Sequence, residues 1–455
     1  MTFTSTVFLI GIFPWFIIIF YLSRKNYESR KTLLFFINIL FYIWSGIGAF
    51  IITSIICLIT YFFCKINLNY KSKVLFIFEV IVVLLPLLTI KYTYFIVDNI
   101  NKITGFDFET PAFIVPVGIS FFTFQAISLI SDVYSDKISI IYLYDVYLYL
   151  TFFATITSGP IIRFDCFEKG LKNNISLESY NYGIQRVSYG LCKKVLIADK
   201  LGGLVDYYFD GVSGGISYST LGLWLGSFAY TLQLYYDFSG YSDMAIGIGR
   251  LLGFDLPENF NAPYIAGSIS EFWRRWHISL SRWFRDYVYI PLGGNRVSTA
   301  KHIRNLLIVW IMTGVWHGSN WTFVIWGLGY FVILLLEKYC PILKNIDSHW
   351  YGHIYALFFI NILWVLFRSS NMKTAIIYIK GMFGFNIGIE KKALNYIPYL
   401  VISILLCLPW SRILIKYKEK TVLKIIKNII WFIIVVLAIC AVINASYAPY
   451  IYGGF

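Results

Sequence analysis

The chain has 455 residues, of which 58% are hydrophobic, 20% aromatic and only 14% charged, with a formal net charge of +14. A soluble domain carries about 25% charged residues. With a mean hydropathy of +0.68, the composition excludes a soluble globular protein and predicts an all-α polytopic membrane protein. Lys and Arg in cytoplasmic loops account for the positive charge. No basic patch lies outside the apolar pattern, so nucleic-acid binding is not expected.

Apolar residues begin at Val7, and Arg24, Lys25, Arg30 and Lys31 follow. This predicts a first transmembrane helix with its N-terminus outside and no cleavable signal. Further apolar segments fall near 33–63, 74–97, 112–131, 138–160, 180–198, 218–250, 303–336, 352–367, 396–411 and 426–446. Their length excludes the short alternating strands of an outer-membrane barrel. Ten to thirteen transmembrane or re-entrant helices are expected, some tilted, with the 33–63 run folded as a hairpin at Gly46 and Gly48. They should form one integral membrane domain: N-terminal helices (1–110), a core (111–340) and C-terminal helices (341–455).

Basic clusters at 24–31, 274–285 and 412–427 should face the cytoplasm. The tail SYAPYIYGGF then ends outside, and an even number of crossings follows. The seven cysteines are scattered without a CxxC pair. They read as small core residues, with no disulfide framework and no metal site.

Several polar strings interrupt the apolar pattern. PVGISFFTFQAISLISDVYSDK (116–137) carries Gln125, Ser128 and Asp132, and TITSGPIIRF (155–164) has a Ser-Gly-Pro break. Both are candidate tunnel linings. QLYYDFSGYSDMAIG (233–247) places Tyr236, Asp237 and Asp243 in an apolar run. That suggests a lined cavity or a broken helix, with an aspartate placed to orient a histidine. A buried polar network that ties helices together explains it equally well.

The turn-rich stretch 253–270 leads into EFWRRWHISLSRWFRDYVYIPLGGNR (271–296). Asn261 or Ser270 is a candidate cap, and Pro291, Gly293, Gly294 and Asn295 predict a turn. Over 271–290, Trp273, Trp276, Leu280, Phe284 and Tyr287 recur at helical steps, so one continuous amphipathic helix is expected. His277 would flank its aromatic stripe, with Arg275, Arg282 and Arg285 opposite. Such a helix lying at the interface, with arginines near lipid phosphates, would explain the arginines without chemistry. It explains His277 less well, because a neutral histidine on an aromatic face needs a partner.

TGVWHGSNW follows the apolar run NLLIVWIM and sets His317 at membrane depth, beside Trp316 and Asn320. Ionisable groups there are costly and usually functional. The competing reading is a histidine bonded to a neighbouring helix. Gly314 and Gly318 either leave room for a ligand or allow tight helix packing. A neutral imidazole held away from water is a good general base, and Arg274, Arg275, Arg282 and Arg285 suit an anionic carrier. GxSxG, Walker A, HExxH and DxxD strings are absent. HxxxxD is absent at both histidines, since Arg282 and Thr322 stand five residues after them.

These strings, together with GLCKKVLIADKLG (190–202), resemble the membrane-bound O-acyltransferase family, in its bacterial polysaccharide O-acetylation branch. The resemblance covers roughly half of 120–340. It implies a ring of tilted helices around a tunnel, with His317 catalytic and His277 as the second functional position. It also implies acetyl-CoA as the cytoplasmic donor. His317 would deprotonate an acceptor hydroxyl, and His277 would position a reactant or help stabilise charge. Arg274, Arg275, Arg282 and Arg285 are candidates to hold CoA phosphates. Asp237, Asp243, Tyr236, Gln125, Trp316 and Asn320 are candidates to line the tunnel or orient the site.

An extracytoplasmic SGNH-type acetyltransferase would be the partner and a surface polysaccharide the acceptor, at a bacterial inner membrane among its lipids. The abundance of Ile, Asn, Lys, Phe and Tyr suggests an AT-rich genome and favours peptidoglycan over alginate. A D-alanyl transferase for teichoic acid and a transporter or flippase are the alternatives. Paired inverted halves, which a transporter predicts, are not evident.

Overall fold

The computed structural model describes residues 3–408 and 421–444, and among these residues there is helix and loop but no strand. The tail SYAPYIYGGF and positions 412–420 of the last basic cluster lie outside the described residues. The chain packs as two compact units, Met1–Val187 with Ser242–Pro257, and Ser188–Tyr241 with Glu258–Phe455.

The first unit opens with a π-helical turn, Val7–Ile12, and helix α1, Phe13–Ser23. Helices α2 (Tyr27–Ser45) and α3 (Ile47–Asn69) meet at Gly46, whose φ of 127° suits a residue without a side chain. The expected hairpin break is therefore real, and Gly46 makes it. Helix α4 (Lys73–Thr104) ends at Gly105 in the left-handed region, and α5 (Ile119–Tyr134), which carries Gln125, is buried along almost its whole length. The 138–160 run is not one helix. It holds only α6, Leu143–Leu150, followed by turns and then loop through Arg163, before α7, Phe164–Lys172.

Buried polar groups brace this unit. The Arg30 guanidinium donates to the Leu171 and Asn173 carbonyls, each at 2.7 Å. Asn38 donates to Thr151 Oγ1 at 3.1 Å and accepts from the Phe153 amide at 3.2 Å. Cys57 and Cys64 are buried in α3, as expected for small core residues. Cys166 and Cys440 are exposed, so that reading does not extend to them.

Helices α8 (Leu177–Cys192) and α9 (Asp199–Ser213) flank a second π-helical stretch, Lys193–Ala198. Helix α10, Thr220–Leu251, runs unbroken through the polar string, and every residue from 229 to 249 is buried. The broken-helix expectation thus fails, and the polar groups are paired instead. Tyr236 donates to the Ser403 carbonyl at 2.6 Å, Lys194 to Asp237 at 2.6 Å, and Arg186 to Asp243 at 2.8 Å.

The rest of the second unit comprises α11 (Ile269–Arg275), α12 (Ile278–Phe284), α13 (Thr299–His317) and α14 (Trp321–Tyr339). It continues with α15 (Trp350–Arg368), α16 (Met372–Met382), α17 (Lys391–Leu394), α18 (Ile397–Leu406) and α19 (Thr421–Asn444). Among the described residues, four helices, α3, α4, α14 and α15, are long and apolar enough to cross a membrane. The 303–336 run is two helices, parted after His317. A Cβ on Gly314 would lie 2.5 Å from the Phe323 carbonyl oxygen, and one on Gly327 2.5 Å from that of Trp310. These glycines serve close packing of α13 on α14.

Candidate active site

The predicted continuous helix over 271–290 is the main correction to the sequence reading. Helix α11 stops at Trp276, which is extended, and His277 takes φ 42° and ψ 54° before α12 begins. A non-glycine residue in the left-handed region costs about 1–3 kcal/mol and persists only where its surroundings impose it. Here the imposing residue is Asn259. Its backbone carbonyl accepts from the Ile278 amide at 3.0 Å. Its side-chain oxygen accepts from the Ser279 amide at 3.1 Å and the Ser279 hydroxyl at 2.8 Å. The same oxygen lies 3.2 Å from His277 Nδ1. The 253–270 stretch is therefore a brace for the histidine bend.

Helix α11 is held at its other end. Ser268, not Asn261 or Ser270, is its N-cap and accepts from the Glu271 amide at 3.1 Å. Glu337 of α14 accepts from the Ile269 amide at 2.6 Å, the Ser270 amide at 2.8 Å and the Ser270 hydroxyl at 2.6 Å. A carboxylate there also meets the positive end of the helix. Replacing Glu337 with alanine strands those donors. We expect a loss of about 1–3 kcal/mol, the penalty for unmet buried hydrogen bonds, read as a lower melting temperature. Glu337→Gln should recover part of it through its remaining acceptor oxygen.

His277 is fully buried, and its ring lies 4.7 Å from the Phe238 ring, nearly perpendicular to it, and 6.0 Å from that of Trp316. The bend lies outside the four candidate spans, and burial pushes the His277 imidazole down from its ordinary value to about 3. His317 is the last residue of α13 and is 2% exposed. Trp316, Trp326 and Phe367 surround its ring at 4.9, 4.9 and 5.2 Å. Both imidazoles thus face one indole, that of Trp316, in a water-poor aromatic setting.

The other candidates for orienting the site have partners of their own or belong to the first unit. Asp237 accepts from Lys194, which also reaches Asp199 at 2.8 Å, and the acceptor beside His277 is an amide oxygen instead of a carboxylate. Gln125 and Asp243 belong to the first unit. Asn320 caps α14 through the Thr322 amide and donates to the Ser370 carbonyl at 2.7 Å. Of the arginines, Arg275 is held by Glu271 at 2.6 Å and Arg285 by Asp286 at 2.8 Å, and Arg274, Arg282 and Arg285 are exposed.

Arg285 opens a π-helical turn, Arg285–Tyr289, and lines a cleft of about 180 Å³ with Trp273, Phe284, Tyr289, Trp310 and Thr313. Trp310, Thr313 and His317 follow one another at steps of three and four along α13, so the cleft wall and the histidine share a helix face. His302 holds Tyr289 in place, with its ring nitrogens 2.9 Å from the Tyr289 hydroxyl and 2.6 Å from that of Tyr339. Among the described residues no three His, Cys, Asp or Glu side chains gather as a metal site.

Residues 33–372 match the sequence profile of the membrane-bound O-acyltransferase family. The chain belongs to this family. It is an all-α membrane protein and an O-acyltransferase. It is 39% identical over 402 residues to the probable alginate O-acetylase AlgI of Azotobacter vinelandii, covering 85% of this chain and 78% of that one. The peptidoglycan O-acetyltransferase of Helicobacter pylori is 39% identical over 65% of this chain and 62% of its own length. The teichoic acid D-alanyltransferase of Bacillus subtilis is 32% identical over 53% and 64%. In this O-acyltransferase, Asn259, Glu337 and His302 were not singled out from sequence. The one local signal was the turn-rich stretch before the RRWH string.

Proposed function

We propose that this protein carries acetyl groups from cytoplasmic acetyl-CoA toward a hydroxyl of a bacterial cell-surface polysaccharide. The observation that carries the reading is the pair of buried imidazoles, His277 and His317, against the Trp316 ring. His317 takes the proton of the acceptor hydroxyl as its oxygen attacks the thioester carbonyl. The carbon–sulfur bond breaks, the ester bond forms, and the proton passes to the leaving thiolate. His277 positions a reactant beside it. The cleft that Arg285 lines, on the His317 face of α13, is walled mainly by aromatic and aliphatic side chains and suits a slender, largely apolar donor arm.

Acetyl is favoured over D-alanyl because the relatives named O-acetylases match over 85% of the chain, against 53% and 58% for those named D-alanyltransferases. The composition keeps peptidoglycan ahead of alginate as the polymer to assay first. The location is the bacterial cytoplasmic membrane, with an SGNH-type acetyltransferase outside as partner. The test supplies radiolabelled acetyl-CoA to inside-out membrane vesicles that contain the partner and polymer. Label should enter alkali-labile sugar esters and disappear with His317→Ala. Label that enters only from a D-alanyl carrier protein overturns the acetyl reading. Equal loss of labelled sugar and of polymer export in a deletion strain overturns the enzymatic reading in favour of a flippase.

A further inference from the structure

We infer that Asn259 fixes the proton of neutral His277 on Nδ1, so that the ring meets a reactant only as a hydrogen-bond acceptor, through Nε2. The geometry decides which Asn259 atom faces the ring. The Ser279 amide, 3.1 Å away, can only donate, so the atom it meets is the carboxamide oxygen, and the Ser279 hydroxyl at 2.8 Å meets the same atom. That oxygen can only accept. His277 Nδ1, 3.2 Å from it, must therefore be the donor. Asn259 and His277 are both fully buried. The Ile278 amide bonded to the Asn259 backbone at 3.0 Å keeps the two segments in register. A neutral imidazole with its proton on Nδ1 carries its lone pair on Nε2.

The consequence bears on the proposed reaction and rests on His277 acting in it. A ring in this tautomer cannot offer an N–H to a developing oxyanion from Nε2. It holds a reactant O–H instead, and Asn259 is a positioning residue that acts through it. The left-handed backbone at His277, φ 42°, is then the means by which the ring is turned onto Asn259.

The experiment reads the proton directly. The chain has five histidines, so 15N-histidine-labelled full-length protein in lipid nanodiscs gives a spectrum assignable with single-histidine variants. Wild type should show His277 with Nδ1 protonated and Nε2 bare. Asn259→Ala should lose that signature and lower kcat by about 10–100-fold, the usual cost of losing such an orienting partner, with KM little changed. Asn259→Asp should keep the proton on Nδ1 and restore most of the rate. Its negative charge favours the imidazolium, so the acid limb of the pH profile should move to higher pH. Ser279→Ala, which removes one donor from the same oxygen, should leave the ring signal unchanged.

A protonated Nε2 in wild type overturns the proposal, as does an unchanged His277 signal in Asn259→Ala. If that variant does not fold, wild type and Asn259→Asp still decide. Full transfer activity in His277→Ala would remove the role of His277 in the reaction while leaving the tautomer result standing, so the two failures are distinguishable.

Discussion

His317→Phe should lower acyl transfer by ~10²–10⁴-fold, the range that general-base help supplies, while leaving the protein folded. Phenylalanine is the informative replacement. The His317 ring is packed edge-on against Trp326 and Phe367 at 4.9 and 5.2 Å, and a phenyl ring keeps those contacts. What it lacks is a lone pair. His317→Ala removes the ring as well and opens a void in a crowded aromatic cluster, so its rate loss mixes chemistry with repacking. The pair should therefore separate. Both lose transfer, but only the alanine variant should melt appreciably lower. A phenylalanine variant that still transfers acetyl from the radiolabelled donor would remove His317 from the chemistry.

The features legible in the sequence are those whose cause is local. Gly46 could be named as a break because no other residue accepts its backbone so readily, and the turn at Gly293 and Gly294 follows the same logic, with φ of 102° and 58°. Membrane class followed from composition alone, because lipid leaves a chain few alternatives to helix. Both histidines could be singled out because an imidazole in an apolar, tryptophan-rich string is conspicuous.

The bend at His277 was not legible. The stripe from Trp273 to Tyr287 has helical spacing and contains neither glycine nor proline, so nothing nearby announces a break. The cause lies 18 residues upstream, where Asn259 supplies a carbonyl to Ile278 and an amide oxygen to Ser279. A cap delivered through space leaves no periodicity. Glu337 is hidden in the same way, since its three donors come from residues 67 and 68 positions earlier. The 233–247 string was recognised as polar, but a break and a network predict the same residue types. Only the partners, Lys194 and Arg186, choose between them.

That network sets up the largest stability effect. Lys194→Met should destabilise the protein by ~3–5 kcal/mol, because it takes the Lys194 ammonium away from the buried Asp237 carboxylate. Lys194 is 2% exposed and Asp237 fully buried, and the ammonium bridges Asp237 at 2.6 Å and Asp199 at 2.8 Å. The charge matters more than the hydrogen bond, so the double variant Lys194→Met with Asp237→Asn should melt higher than Lys194→Met alone, and the difference is read in detergent by thermal denaturation. A single variant that melts with wild type would mean that the pair carries no stability. The consequence for catalysis is indirect and differs in kind from that of His317. Phe238, one residue beyond Asp237, presents its ring to His277 at 4.7 Å, so a helix loosened at Asp237 loosens the His277 setting. Transfer by Lys194→Met should therefore fall with temperature in parallel with unfolding, and the double variant should recover both. His317→Phe should instead stay folded and inactive at every temperature.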